Sequence, residues 1–467
     1  MAATDGRRLN ELAARLADHL GPGGLLTGAE VGARAEAWGS TGSCQALAIA
    51  RPATTAEVAA VLSHCNDAGL AVVPYGGGTG LVQGAIASAG ELLLSLERLR
   101  GPPDIDPLGR TAVVHAGVAL QEMQQAADEA EFLFPLDLGA RGSATIGGNI
   151  STNAGGNRVI RFGMMREMVL GLEAVLADGT VVTSMNRMLK NNAGYDLKQL
   201  FIGSEGTLGV VTRAVLRLRE KPLSQNLALV AAPSFAAVMR MLKLADRALG
   251  GQLSAFEVMW REFYEIVTTP PARNKPPLAQ GSPYYVLIES LGGNEAADRH
   301  HFEEMLGSLF DERAISDAVI ADSRAHYESL WTIRDSVEEL LRFGPPLMFD
   351  VSLPIAAMEE YVRGVREQLE RQFPGNRCVV WGHVGDSNLH VWISTALPVT
   401  ESRAAVEHVV YSPLRAVEGS ISAEHGIGVE KRSHLGLSRS GAEIGLMREL
   451  KSRLDPRGIL NPGKIFA

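Results

Sequence analysis

From Ala46 to Pro74 the chain alternates a short apolar run, a helical pattern and a second apolar run, the order of a βαβ-like start. The capping box Thr54-Thr-Ala-Glu57 opens the helix, Gly69 stops it, and the second strand covers Leu70 to Pro74. Strands are predicted at Glu91 to Leu96 and Thr111 to Ala116, a helix at Ala119 to Ala130, and a hairpin turning at Asp178-Gly179. Upstream, Leu9, Leu12, Leu16 and Leu20 recur at helical spacing and predict an amphipathic helix packed on the fold. Asp5, Glu11 and Asp18 interrupt any secretory or transit pattern there.

Beyond Lys221-Pro222 the pattern changes to strand, helix, strand, strand, helix, strand with longer helices, which predicts a second α+β region. Its strands are expected near Leu227 to Ala231, Ala255 to Met259, Tyr284 to Ser290 and Ala314 to Ala321, with helices at Phe235 to Leu249 and Asn294 to Phe310. A helix at Arg324 to Arg342, a strand at Leu347 to Leu353 and a helix ending near Phe373 follow. Two apolar strands, Val379 to Val384 and Leu389 to Ile393, then flank the turn Gly385-Asp-Ser-Asn388. With that four-residue loop, Val384 faces Leu389 and His383 faces His390, placing two imidazoles on one face where they can share a metal ion. The last stretch is a helix at Gly441 to Leu454 and the tail Asp455 to Lys464, too short for a domain and so expected to dock on one already folded.

The 467 residues, 46% hydrophobic and 21% charged, suffice for two or three domains of an ordinary globular protein. A net charge of −9 with no long basic run argues against a nucleic-acid surface and for small-molecule partners. Cys44, Cys65 and Cys378 are far apart, so neither a disulfide framework nor a cysteine-bound cluster is expected, and a reducing compartment fits. No run of about 18 apolar residues exists to span a bilayer. A cytoplasmic location is expected, with peripheral association at the inner membrane face left open.

Three glycine-rich loops change the picture. Gly76-Gly-Gly-Thr-Gly80 follows a strand and lets successive backbone N–H groups turn toward one anion, diphosphate being the natural guest. The Rossmann fingerprint fails, because Leu81 stands where the third glycine belongs. A second stretch, Pro135 to Gly156, is dense in glycine, Ser, Thr and Asn, and a third is Gly203-Ser-Glu-Gly-Thr-Leu-Gly209. Together they imply a dinucleotide held outside a Rossmann fold.

The loops, the tail Asn461-Pro-Gly-Lys464, and the pair Gly382-His-Val-Gly-Asp-Ser-Asn-Leu-His390 with Glu424-His-Gly-Ile-Gly428 resemble the vanillyl-alcohol-oxidase-type (PCMH) flavoproteins. The branch most similar is the FAD-dependent D-2-hydroxyacid dehydrogenases, which includes D-lactate and D-2-hydroxyglutarate dehydrogenases and the glycolate oxidase catalytic subunit. The resemblance implies an α+β fold: an FAD domain over residues 1–221 with the N-terminal helix, a ferredoxin-like antiparallel substrate domain over 222–430, and a segment 431–467 returning to the FAD domain. FAD is expected to be noncovalent, since Gly78 stands where a flavin-linking histidine would be. The residues expected around it are Pro74, Gly76, Gly77, Gly78, Thr79, Gly80, Leu81, Pro135, Gly139, Ser143, Thr145, Gly147, Gly148, Asn149, Ser151, Asn153, Ala154, Gly155, Glu205, Gly206, Gly209, Val210 and Asn461.

For the chemistry, His383 and His390 supply neutral nitrogens and Glu424 a carboxylate, a three-ligand set that suits Zn²⁺ or Mn²⁺ with an open position. A histidine alone on an apolar strand is more often a hydrogen-bonded core residue. His425 is the expected general base for the substrate hydroxyl proton. The resemblance gives Arg334 the substrate carboxylate and puts Asn388 beside the substrate, while a solvated arginine and a plain turn asparagine are the bland readings. Glu338 and Leu347-Met-Phe-Asp350 replace a threonine and a lysine that grip a distal carboxylate in the D-2-hydroxyglutarate branch. A monocarboxylic D-2-hydroxy acid such as D-lactate, glycolate or D-mandelate is therefore expected, with a quinone, electron-transfer flavoprotein or cytochrome as acceptor; a homodimer is compatible. The alternatives are a D-2-hydroxyglutarate dehydrogenase, a redox-neutral transferase resembling alkylglycerone-phosphate synthase, which carries histidines where this chain has Glu424-His425-Gly426, and a silent flavin-binding subunit.

Overall fold

The computed structural model describes residues 12–36 and 42–466, and they fall into two compact units. One comprises Met1–Gly155, Met164–Lys221 and Glu424–Ala467, the other Gly156–Gly163 and Pro222–Ala423. The seam at Lys221 coincides with the change of pattern read from sequence. The return to the first unit begins at Glu424 rather than after residue 430, and Gly156–Gly163 joins the second unit, which no local pattern announces.

In the first unit the βαβ-like start belongs to a four-stranded sheet ordered Leu25–Thr27, Ala48–Ala50, Leu92–Ser95, Val72–Tyr75. The outer Leu25–Thr27 pairing is antiparallel and the other two are parallel. The helix Thr55–Ala68 therefore crosses over a strand inserted later in the chain. The Thr54 side chain caps it as predicted by accepting from Glu57 N, but Glu57 Oε2 accepts from Ala53 N, one residue before the cap, so the reciprocal half of the capping box is shifted; Gly69 ends the helix at φ 66°. A second sheet is fully antiparallel, ordered Asp104–Asp106, Thr111–His115, Val210–Arg217, Val169–Val175, Val181–Ser184. Residues 12–20 are helical and bury Leu12, Leu16 and Leu20; Leu9 lies outside the described residues.

The C-terminal tail docks by backbone pairing. Val72 N donates to Ile459 O at 2.7 Å and Asn461 N to Val72 O at 2.8 Å, so the tail runs parallel beside the strand that leads into the first glycine loop. Buried Asp455 holds the approach, accepting from the N–H groups of Ile459 and Leu460.

The second unit is built on a seven-stranded antiparallel sheet. Its order is Asp317–Ile320, Ser224–Ala232, Tyr284–Gly292, Leu253–Trp260, Arg377–Gly382, Asn388–Ser394, Leu347–Ser352. The first four strands, with helices Phe235–Ala248 and Glu295–Asp311, have the 4-1-3-2 order of a ferredoxin-like fold, as expected. The histidine hairpin and the Leu347 strand extend it. One face is covered by helices Arg261–Thr268 and Arg324–Asp335, packed on a core that includes Met259, Leu287, Trp331, Trp381 and Trp392. The long helix predicted to reach Arg342 breaks at Ser336 and continues as a 3-10 turn, Val337–Phe343. Helices Arg261–Thr268, Val399–Tyr411 and Ile146–Thr152 were not predicted, the last because its glycines read as loop.

The hairpin register also differs from the expected one. Trp381, not His383, faces His390, because a 3-10 turn at Val384–Asp386 and a left-handed Ser387 (φ 74°) close the loop more widely. Asp386 N and Asn388 N both donate to His383 O, which ends the ladder at Gly382. The slip is two residues, so side-chain parity is kept and both histidines stay on one face.

Candidate active site

In the first unit the three glycine loops converge. A Cβ on Gly77 would lie 1.9 Å from Ser143 O, and one on Gly76 would lie 2.7 Å from Thr145 Oγ1, so the first loop lies backbone to backbone on the second. Thr145 caps the short helix Ile146–Thr152 by accepting from Gly148 N, with Gly147 packed on Ala116. That helix carries Asn149 and Ser151 and ends at Asn153 (φ 50°), whose Oδ1 accepts from Arg166 N, with Ala154 and Gly155 beyond. The third loop joins through Gly203 N to Ile150 O and Glu205 N to Ser151 O, and Gly206 abuts Pro74. Asn461 closes the ring by donating to Gly84 O and Glu205 O. Gly80 and Gly139 stand clear, with no atom within 4 Å of an added side chain. Thr79 and Leu81 lie in the irregular first loop, Pro135 in the stretch before the short helix, and Gly209 and Val210 lead into the strand Val210–Arg217.

Glu205, expected near the cofactor, has a different use for its carboxylate: it accepts from Ile427 N at 2.7 Å and Gly428 N at 2.8 Å. Burial raises its pKa, and those two N–H groups and Lys431 act against the rise. It ties the third loop to the Glu-His-Gly-Ile-Gly segment, a link that no spacing could reveal. Whether these loops suit a dinucleotide can be judged from their unmet polar atoms. Asn149 Nδ2 and Asn461 Oδ1 are buried and have no protein partner, on a surface where glycines keep the backbone open. Polar groups so placed normally have a partner, so the loops fit a polar ligand.

In the second unit the chemistry gathers on the covered sheet face. Buried Arg334 comes from the last turn of helix Arg324–Asp335, and its Nε donates to Glu257 Oε2 at 2.8 Å. Glu257, 1% exposed on strand Leu253–Trp260, also receives His383 Nδ1 at 2.6 Å. Burial works to raise the Glu257 pKa, and His383 and Arg334 outweigh it and hold the carboxyl below its ordinary value. Arg334 Nη2 faces His383 Nε2 at 3.1 Å. A guanidinium only donates, so Nε2 must present its lone pair and Nδ1 must carry the proton given to Glu257. Sequence reasoning missed Glu257: a glutamate in an apolar strand gives no sign of its partners.

His390 lies half-buried on the same face, its ring centroid 5.2 Å from that of His383. Asn388, expected in the turn, is the first residue of strand Asn388–Ser394; it is buried, donates to Val351 O, and leaves Oδ1 without a protein partner. Asp350 pairs across the ladder with His390 and accepts from Ser422 Oγ and Ala423 N. Those bonds pin the chain immediately before Glu424, and the ligand atoms of His383, His390 and Glu424 all lie within 4.8 Å of one another. Two imidazoles and a carboxylate at that spacing fit a divalent cation. His425 follows in the same irregular segment, half-buried.

Glycine loops converging on unmet polar atoms define a cofactor-binding protein, and the cluster of two imidazoles and a carboxylate could hold a cation. The FAD binding domain family matches residues 46–184, and the family of FAD linked oxidases, C-terminal domain, matches residues 221–465. A D-2-hydroxyglutarate dehydrogenase of Xanthomonas citri pv. viticola is 42% identical over 427 residues, 90% of this chain and 89% of that one. The mitochondrial D-2-hydroxyglutarate dehydrogenase of Bos taurus is 41% identical over 418 residues, 89% of this chain and 76% of that one. In fold the chain is similar to p-cresol methylhydroxylase (TM-score 0.77, 16% identity, 98% of this chain and 96% of that one). It is also similar to 4-ethylphenol oxidase from Gulosibacter chungangensis (TM-score 0.72, 16% identity, 98% and 97%). This chain belongs to the FAD-linked oxidases, and within them to the FAD-dependent D-2-hydroxyacid dehydrogenases.

Proposed function

We propose that the chain oxidises the C2 hydroxyl of a monocarboxylic D-2-hydroxy acid to the 2-oxo acid and passes the electrons to a separate acceptor, a quinone, electron-transfer flavoprotein or cytochrome. The observation that carries the reading is the cluster of His383, His390 and Glu424, the two histidines lying on the sheet face that also holds buried Arg334. FAD, bound without a covalent link among the converged loops, supplies the hydride acceptor, and Zn²⁺ or Mn²⁺ held by the three ligands makes the substrate hydroxyl more acidic. Arg334, its Nε held by Glu257, would turn its outer nitrogens to the substrate carboxylate, Nη2 leaving His383 Nε2 when that nitrogen takes the metal. His425 accepts the hydroxyl proton, and Asn388 Oδ1 offers an acceptor toward the substrate.

The side-chain preference rests on the stretch after Arg334. Glu338 is exposed and acidic, Leu347 and Phe349 are buried, and Phe349 packs edge-on to Tyr411. Arg342, the one basic residue from 335 to 350, donates to Ile266 O and pairs with Glu339. A distal carboxylate would meet no uncommitted cation from this stretch. D-2-Hydroxyglutarate is the second reading, favoured by the names of the relatives. Anaerobic flavin bleaching by D-lactate, glycolate, D-mandelate and D-2-hydroxyglutarate decides: fastest bleaching by the dicarboxylate overturns the preference, and bleaching by none overturns the activity.

A further inference from the structure

Two glutamates stand buried on the same face of the seven-stranded sheet, each facing an arginine. Glu289 accepts from Arg158 at Nε and Nη2, from Ser254 Oγ and from Tyr327 OH. That network fastens Gly156–Gly163 to the sheet. Glu257, on the next strand, instead divides its two oxygens between Arg334 Nε and His383 Nδ1.

We propose that Glu257 is a positioning residue for both halves of the site, an inference that rests on the metal reading above. By accepting the Nδ1 proton it keeps His383 in the tautomer whose Nε2 lone pair can ligate a cation, and it fixes the plane of the ring. By holding Arg334 Nε it sets the rotation of the guanidinium about its long, flexible stem. Carboxylates that bond the outer nitrogen of a metal-ligating histidine typically matter by 10–100-fold in metal affinity. Both partners of Glu257 are donors. A glutamine there offers one acceptor and one NH₂ group, so one partner meets a donor instead of an acceptor, and His383 is released to the other tautomer. An aspartate keeps the charge and loses the reach to span both.

The test is Zn²⁺ and Mn²⁺ affinity of the FAD-loaded enzyme, measured by competition with a chromogenic chelator, with flavin content followed in parallel. Glu257→Gln and Glu257→Asp are expected to weaken metal binding by roughly 10–100-fold with flavin content unchanged. Glu289→Gln, an equally buried loss of charge, is expected to lower thermal stability and leave metal affinity as in the parent. If Glu257→Gln does not fold, the double variant Glu257→Met/Arg334→Met removes both charges together at similar volume and is expected to show the same weakening. Parent-like metal affinity in the Glu257 variants overturns the assignment, as does equal weakening by Glu289→Gln. A parent protein that takes up neither ion overturns the metal reading itself, an outcome distinct from the other two.

Discussion

Arg334 Nη2 lies 3.1 Å from His383 Nε2, a cation set against the one ring nitrogen that Glu257 leaves with a lone pair. That lone pair is the only one Nε2 has, so a metal ion bound there would displace Arg334 Nη2 and leave the guanidinium to be met by an anion. In the proposed reading the substrate carboxylate would meet that requirement, and carboxylate binding would be coupled to metal binding at this pair.

Removing a ligand should abolish the metal and most of the rate. His383→Ala and His390→Ala are expected to lose the ion by elemental analysis and about 10³-fold or more of kcat/KM, several kcal/mol of lost charge stabilisation. Full metal content in either variant would mean that the ion is held elsewhere.

Arg334→Lys keeps the charge and gives up the planar fork. Charge-assisted hydrogen bonds are worth about 1.5–3 kcal/mol each, so kcat/KM should fall roughly 10–150-fold, mostly through KM. Steady-state kinetics with saturating acceptor separate the two constants, and an unchanged KM would remove Arg334 from carboxylate binding.

Gly77→Ala tests the packing of the first glycine loop on the second. The added methyl would lie 1.9 Å from Ser143 O, a distance no rotamer can relieve, so the two loops must part. Purified protein is expected to be colourless or to lose flavin on gel filtration, seen in the 450 nm region of flavin absorbance. Stable yellow protein would show that the loops tolerate separation.

Acid stability should depend on Glu173. Burial raises its pKa, but bonds from Arg213, Thr55 and Thr212 prevail and bring it down to about 2 from 4.5. A carboxyl whose folded pKa is depressed stabilises the fold fully above the unfolded value, and that contribution is lost as pH falls from about 4.5 toward 2. Glu173→Gln should lower stability by about 2–3 kcal/mol at neutral pH and flatten its decline below pH 4.5 in urea titrations. Parallel curves for the two proteins would show that the carboxyl is not the titrating group.

Much was legible where chemistry is local. The Thr54 cap, the left-handed Gly69 and the Asp178-Gly179 hairpin all follow from residues near one another in the chain. His383 and His390 could be paired because they stand seven residues apart in one hairpin, and even a register slip of two left them on one face, because side-chain direction alternates strictly along a strand. What failed also failed for local reasons: the glycines of Ile146–Thr152 masked a helix, and a 3-10 turn displaced Asn388 from the loop into a strand.

The sequence by itself determined the kinds of groups present and their local arrangement: three glycine loops, two histidines on one strand face, an acid and a histidine beyond them. Only the tertiary structure decided what those groups are bonded to. It placed Glu257 between Arg334 and His383, 77 and 126 residues away in the chain, and gave the Glu205 carboxylate to Ile427 and Gly428. Partners of that kind are chosen by which strands and segments come to lie side by side, and hydrophobic periodicity carries no information about the polar residue opposite.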